Sequence, residues 1–438
     1  MKGKRAKWSV GLLAALSSVA MLASAHGPEA MAAATPRVTI QFWYGLGGQL
    51  GNDVQQLINQ FNRSQDQVFV QGVVQGNYTD TSEKLQSAFA ADNVPAVALL
   101  GSINPQWAKD GLFANLQTLA ASDRTFAAKD FIPAFVQGGS YMGKWYGLPL
   151  YGTTQVLYYR KDMFAKAGIS PNVLDTWQGL AEAASRLTKR DGATTSVYGW
   201  EPMWGPDNLI DAVYSAGGQV ISNNGKKVLI DSPVWVDVWG QFRRWLHVDN
   251  TMRIHSGGSG WTYWYQTLGD VMDGKAAGYT GSSGDQESLN FKIIGAHTQP
   301  GWGDHPARPE AGALYAVIPS QASSVQQQAA FKFLSFFTDT ANTAKWSMET
   351  GYIPVRESAL SYPPFKAYLA KNPQAKVPIV QAETAAPYFN DPTGTLIYTA
   401  LQNAADQVEI ENVPARVALR NAAVIAQKAL DQYNQGQH

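Results

Sequence analysis

The chain contains no cysteine. Disulfides, thiolate metal centres, nucleophilic thiols and the lipid-carrying cysteine that tethers many exported binding proteins are therefore excluded. Charge is scarce as well: Asp, Glu, Lys and Arg make up 16% of 438 residues, below a usual share of about 25%. The 34 basic and 34 acidic residues balance, so no sequence-wide field attracts nucleic acid or an anionic membrane.

Recognisable reaction chemistry is missing too. His247, His255, His297 and His305 are scattered, without the i, i+4 pairing or the accompanying Cys and acidic ligand set of a zinc site, so no metal and no cofactor is expected. Gly45–Gly51 (GLGGQLG) follows strand-like residues but lacks both the G-x-G-x-x-G spacing and a following Lys-Ser/Thr. Neither Ser259 nor Ser283 lies in a G-x-S-x-G elbow. A glycoside hydrolase needs two carboxylates about 5 to 10 Å apart, and no spacing singles out such a pair among Asp207, Asp285 and Glu287.

What is present begins with an export signature. Lys2, Lys4, Arg5 and Lys7 precede an apolar run from Val10 to Leu22, and Ala23-Ser24-Ala25 supplies small residues for cleavage. The run is shorter than the ~20 residues that span a bilayer, so residues 1–25 read as a cleaved signal peptide. The mature chain then carries 30 basic and 34 acidic residues, a net charge of −4. Its length exceeds the roughly 250 to 300 residues at which one core stops growing, which predicts two lobes.

Periodicity supports an α/β fold. Arg37–Tyr44 is β-rich, Val54, Leu57, Ile58 and Phe61 recur at helical spacing, and Val68–Val74 returns to strand character. Ala96–Leu100 is a short apolar run of the kind buried in parallel sheets. Strands are also predicted over Thr153–Tyr159, Ala276–Gly284 and Ala313–Ile318, and helices over Lys161–Gly168, Trp177–Leu187 and Val234–Leu246, with a final helix begun by Pro414. Tyr198–Pro206 and Ser256–Tyr265 are rich in aromatics and glycine and read as exposed or cleft-lining loops.

Phe42-Trp43, Gly48–Gly51, Phe61-Asn62, Gly76-Asn77-Tyr78, Asn93–Ala96, Val156–Tyr159, Ser282-Ser283-Gly284 and Thr350–Val355 follow one another in an order and spacing that resemble the family 1 extracellular solute-binding proteins of carbohydrate-type ABC importers. Within that family the resemblance is greatest to the branch that binds glycerol 3-phosphate. It implies a two-lobed periplasmic binding protein fold (type II, maltose-binding-protein-like), with a ligand cleft between lobes and hinge closure. The lobes are expected to be discontinuous, residues 36–150 with 285–342 and residues 151–284 with 343–438.

Carried over position by position, the resemblance places ligand contacts at Tyr78, Thr153, Trp204, Ser282, Gly312 and Tyr352. Tyr44, at the end of its strand, is added as a cleft residue, whereas Trp43 is assigned to the core, as are Tyr158 and Tyr159 on opposite faces of theirs. Trp261 and Trp264 stay open between cleft and lobe packing. Three positions depart from the glycerol-3-phosphate branch: Ser102 stands for an acidic residue, Asp207 for a second tryptophan and Tyr398 for the arginine that holds phosphate. No arginine occurs between Arg356 and Arg416. An arginine fork is the usual bidentate holder of phosphate, and a carboxylate accepts bonds from sugar hydroxyls but repels phosphate. The expectation is a monomeric periplasmic binder of a sugar or polyol, partnered by the membrane subunits of an ABC importer. Binding of glycerol 3-phosphate or a glycerophosphodiester is the alternative, and a secreted glycoside hydrolase or lectin the alternative from another class.

Overall fold

The computed structural model describes residues 37–436; the expected signal peptide lies outside the described residues. The first strand, β1 (Val38–Tyr44), leads into α1 (Gly48–Ser64) and returns as β2 (Val68–Val74). Along β1 the side chains of Ile40, Phe42 and Tyr44 point inward at the two-residue period of a strand. Along α1 the buried residues Val54, Leu57, Ile58 and Phe61 form the stripe that its spacing predicts. Helix α2 (Tyr78–Ala90) follows, its first turn capped by the Asn77 side chain, which accepts from the Asp80 N–H at 2.8 Å. All four residues of β3 (Val97–Leu100) are buried.

The longest strand is β4 (Gly147–Arg160). It begins six residues before the predicted Thr153, in a stretch where Pro149 argues against a strand. The register explains the tolerance: Leu314 pairs with Tyr151 and Tyr315 with Pro149, so a bulge at this point absorbs the missing proline N–H. Helix α3 (Trp177–Leu187) has the predicted limits. Residues read as loops are partly regular: β5 (Glu201–Pro202), α4 (Pro206–Ser215) and, beyond α5 (Pro233–His247), α6 (Thr262–Met272) place Asp207 and Tyr263–Tyr265 on helices. Then come β6 (Gly278–Ser282), β7 (Ile294–His297) and β8 (Glu310–Val317).

Strands order as β2-β1-β3-β8-β4-β6-β5, with β7 added to β4. The first three are parallel, whereas β8 and β4 run antiparallel to their neighbours. The two halves of β4 serve different cores. Leu148, Leu150 and Tyr151 join a core built from residues 40–151 and 313–355. Leu157 joins a second core from residues 157–302 and 397–430, which includes α7 (Leu396–Glu409) and α8 (Ala415–Gln435). Val156 and Tyr158, on the opposite face of the strand, join a third with Leu268, Tyr279 and Ile294. Trp346 and Tyr352 pack into the first core, and Ile294 beside Tyr158 in the third.

Phe242 has no accessible surface in the second core, with ring centroids 4.8 Å from Trp177 and 5.2 Å from Trp245. Phe242→Ala is expected to lower unfolding free energy by about 3 to 5 kcal/mol, measured by denaturant titration.

Candidate functional site

The site lies where β4 passes between cores. Thr153 pairs with Gly312 across the β4–β8 ladder, and its Oγ1 is 3.5 Å from the Ser282 Oγ at the end of β6. Gly312 has a steric role here: a Cβ would fall inside the Tyr388 ring. The ring of Tyr352 lies 4.5 Å from that of Tyr151. The Tyr151 hydroxyl is in turn 3.0 Å from the hydroxyl of Tyr78, on the first turn of α2.

A loop joined to the third core reaches over this tyrosine group. The Trp261 indole N–H donates to the Gly45 carbonyl at 2.8 Å, and its ring meets Tyr78 edge-on at 5.6 Å. Gly257, Gly258 and Gly260 hold positive φ, a conformation that only glycine adopts readily. Behind the loop, Arg253 donates to both Glu201 and Asp270, and His255 Nε2 is 2.8 Å from Asp270 Oδ2. Glu201, His255 and Asp270 offer three converging ligand atoms, a grouping that sequence spacing did not reveal. Arg253 already supplies the cation between the carboxylates, which makes the group an ion-pair anchor for the loop.

The opposite wall carries Asp207. Gly205 at φ 108 turns the chain into α4, and Asp207 sits in that helix's first turn, where the helix dipole favours a carboxylate. The Tyr398 hydroxyl donates to Asp207 Oδ1 at 2.8 Å. Tyr398 keeps 37% of its surface accessible. Trp204 donates its indole N–H to Asp406 at 2.7 Å and meets Tyr263 edge-on at 4.9 Å. Burial raises the Asp207 carboxyl pKa, opposed by the Tyr398 bond.

Asp285 closes the floor, accepting from the Trp264 indole at 2.7 Å and from the Tyr279 hydroxyl at 3.2 Å. Burial pushes its pKa up to about 7 despite those bonds. Because the folded state then binds more protons than the unfolded one, this carboxyl makes stability fall as pH rises from about 4 to about 7, by at most about 1.4 kcal/mol per unit. Asp285→Asn should flatten the slope of Tm against pH in that window; an unchanged slope would contradict the assignment.

Tyr78, Thr153, Ser282, Gly312 and Tyr352 thus lie in one connected neighbourhood, and Trp204, Asp207 and Tyr398 in another, linked through Tyr263 and Tyr388. Tyr44 is 1% exposed and packs against Phe42, on the inward face of its strand. Ser102 is exposed on the loop after β3. Sequence reasoning missed Tyr151, Tyr388 and Asp285 as site residues and left Trp261 open. An open hollow of about 840 Å³ elsewhere, lined by Phe61, Phe126, Phe336 and Arg356 among others, contains none of these residues.

This architecture, α/β layers on separate cores that share one long strand, is the two-lobed, maltose-binding-protein-like fold of periplasmic binding proteins. The chain is similar in structure to UgpB from Mycobacterium tuberculosis in complex with glycerophosphocholine (TM-score 0.80, 21% identity, 90% of this chain and 98% of that one). It is also similar to the GacH receptor of Streptomyces glaucescens, solved unliganded and with acarbose (TM-score 0.77, 18% identity, 91% and 99%). In sequence it is 26% identical over 360 residues to the sn-glycerol-3-phosphate-binding periplasmic protein UgpB of Yersinia enterocolitica, covering 77% of this chain and 79% of that protein. The chain belongs to the bacterial extracellular solute-binding protein family, whose profile matches residues 56–376.

Proposed function

We propose that the chain is the substrate-binding component of an ABC importer and holds a sugar or polyol, chemically unchanged, between its lobes until the membrane subunits accept it. The observation that carries this reading is a set of polar and aromatic groups where the long strand passes between cores: hydroxyls at Tyr78, Thr153 and Ser282, and the Tyr398 hydroxyl on the Asp207 carboxylate, with the Trp204 and Tyr263 rings in contact. Hydroxyl and carboxylate groups exchange hydrogen bonds with ligand hydroxyls, and flat rings cover C–H faces. Relatives named for glycerol 3-phosphate and neighbours solved with glycerophosphocholine or acarbose support a small polar ligand. For a phosphate ligand, Tyr398 and Asp207 are an unfavourable pair, since a carboxylate repels phosphate and a tyrosine hydroxyl lacks the charge and fork of an arginine.

The core memberships support a first lobe from residues 37–153 and 310–365 and a second from residues 155–300 and 390–436, hinged where β4 and β8 cross. The protein acts as an exported periplasmic monomer, without catalysis and without a nucleic-acid partner. A thermal-shift screen of neutral mono- and oligosaccharides, glycerol 3-phosphate and glycerophosphodiesters tests the reading. Reversible stabilisation that grows with free ligand, with the ligand recovered intact, is expected from the sugars. Stabilisation by phosphates alone would favour the glycerophosphate alternative, and turnover of a glycan would overturn the reading.

A further inference from the structure

A short strap, residues 256–265, crosses from the third core to the first. It leaves the ion pairs of Arg253 with Glu201 and Asp270 and runs into α6, where Tyr263 and Trp264 pack against the third core. Both ends are firmly held: Trp264 is tied to Asp285, and the Thr262 hydroxyl donates to the Ser259 carbonyl at 2.7 Å across the start of the helix. Between them lie Gly257, Gly258 and Gly260, all at positive φ.

What the strap touches belongs to the first core. Besides the Trp261 contacts with Gly45 and Tyr78, a Cβ on Gly260 would lie 3.1 Å from the Gly76 carbonyl oxygen, and one on Gly48 would lie 2.8 Å from the Tyr265 hydroxyl. Gly45 is itself pressed against the Asn77 backbone, so the Gly45–Gly48 turn and the start of α2 form one receiving surface. Among the described residues the Trp261–Gly45 bond is the whole polar part of this crossing, and Tyr265 keeps 44% of its surface exposed beside it. A neutral hydrogen bond and an edge-on aromatic pair each contribute little net free energy, and glycines change φ and ψ without a steric penalty. The crossing is thus weak and reversible, between two ends that are not.

Building on the solute-binding reading, we infer that this strap is the fastener of the clamp: Trp261 and Tyr265 are positioning residues that hold the Gly45–Gly48 turn and Tyr78 against the second lobe, and their release opens the lobes for ligand exchange. The fraction of closed molecules, and with it the apparent affinity, is set by these two side chains.

Double electron–electron resonance between two spin labels tests this on the mature chain with no ligand added. The chain has no cysteine, so Gln86→Cys in the first lobe and Lys292→Cys in the second, both at exposed positions, are labelled alone. The expected result is a mainly short distance in the otherwise unaltered chain. Trp261→Phe should enlarge the population at the longer distance about fivefold, and Trp261→Ala with Tyr265→Ala should enlarge it further. Tyr265→Phe, which keeps the ring, should match the unaltered chain. Circular dichroism verifies folding, and if the double variant does not fold, Trp261→Phe takes its place. One distance distribution shared by the unaltered chain and the double variant overturns the inference, as does an unaltered chain already dominated by the longer distance. Neither outcome touches the solute-binding reading, which falls instead if no compound in the thermal screen stabilises the protein.

Discussion

Asp207→Ala is expected to weaken sugar binding by about 10- to 100-fold while leaving the unliganded protein folded. A hydrogen bond to a charged group contributes about 1.5 to 3 kcal/mol, and each 1.4 kcal/mol is a factor of ten in affinity. Stability should change little, because burial already disfavours this carboxylate and its side-chain hydrogen-bond partner is the neutral Tyr398 hydroxyl. Tyr398→Phe removes only a neutral donor and should cost about fivefold or less. Calorimetric affinities for the two variants check the ranking. Equal affinities for wild type and Asp207→Ala would show that the ligand does not touch this wall.

Gly45→Ala should damage both stability and binding. An added Cβ would fall inside the Asn77 backbone, at the start of the helix that carries Tyr78. Backbone cannot swing aside as a flexible side chain does, so the two segments must separate, at a cost of about 1 to 3 kcal/mol or more. The same displacement moves the Gly45 carbonyl away from the Trp261 indole. The expected outcome is a lower Tm together with weaker ligand binding. Trp261→Phe, which loses the N–H but keeps a ring, should weaken binding with a smaller change in Tm. If Gly45→Ala lowers stability alone, the Trp261 contact does not contribute to holding the ligand.

Some elements were legible in the chain because their signals are local. Helix Trp177–Leu187 shows its apolar face within eleven residues, and β2 is a compact β-branched run. Strand β4 was recognised only from Thr153 onward, since Pro149 breaks the local pattern and only a bulge opposite Leu314 and Tyr315 lets the ladder continue. Tyr44 shows the limit of a local pattern, because a strand's last residue reads equally well as core or cleft until its neighbours are known. Asp207 and Tyr398 were both named as substitutions, yet nothing in their separate positions, 191 residues apart, indicates a hydrogen bond between them.

The amino-acid sequence alone determined the absence of thiol chemistry, the α/β alternation, the export signature as an expectation and the family resemblance, because composition, periodicity and ordered motifs are one-dimensional properties. Tertiary structure decided that Arg253 stands between Glu201 and Asp270, that Tyr398 meets Asp207 and that Trp261 reaches Gly45. The physical reason is distance. Charge pairing and hydrogen bonding act over a few ångströms, and only the folded chain brings residues hundreds of positions apart within that range.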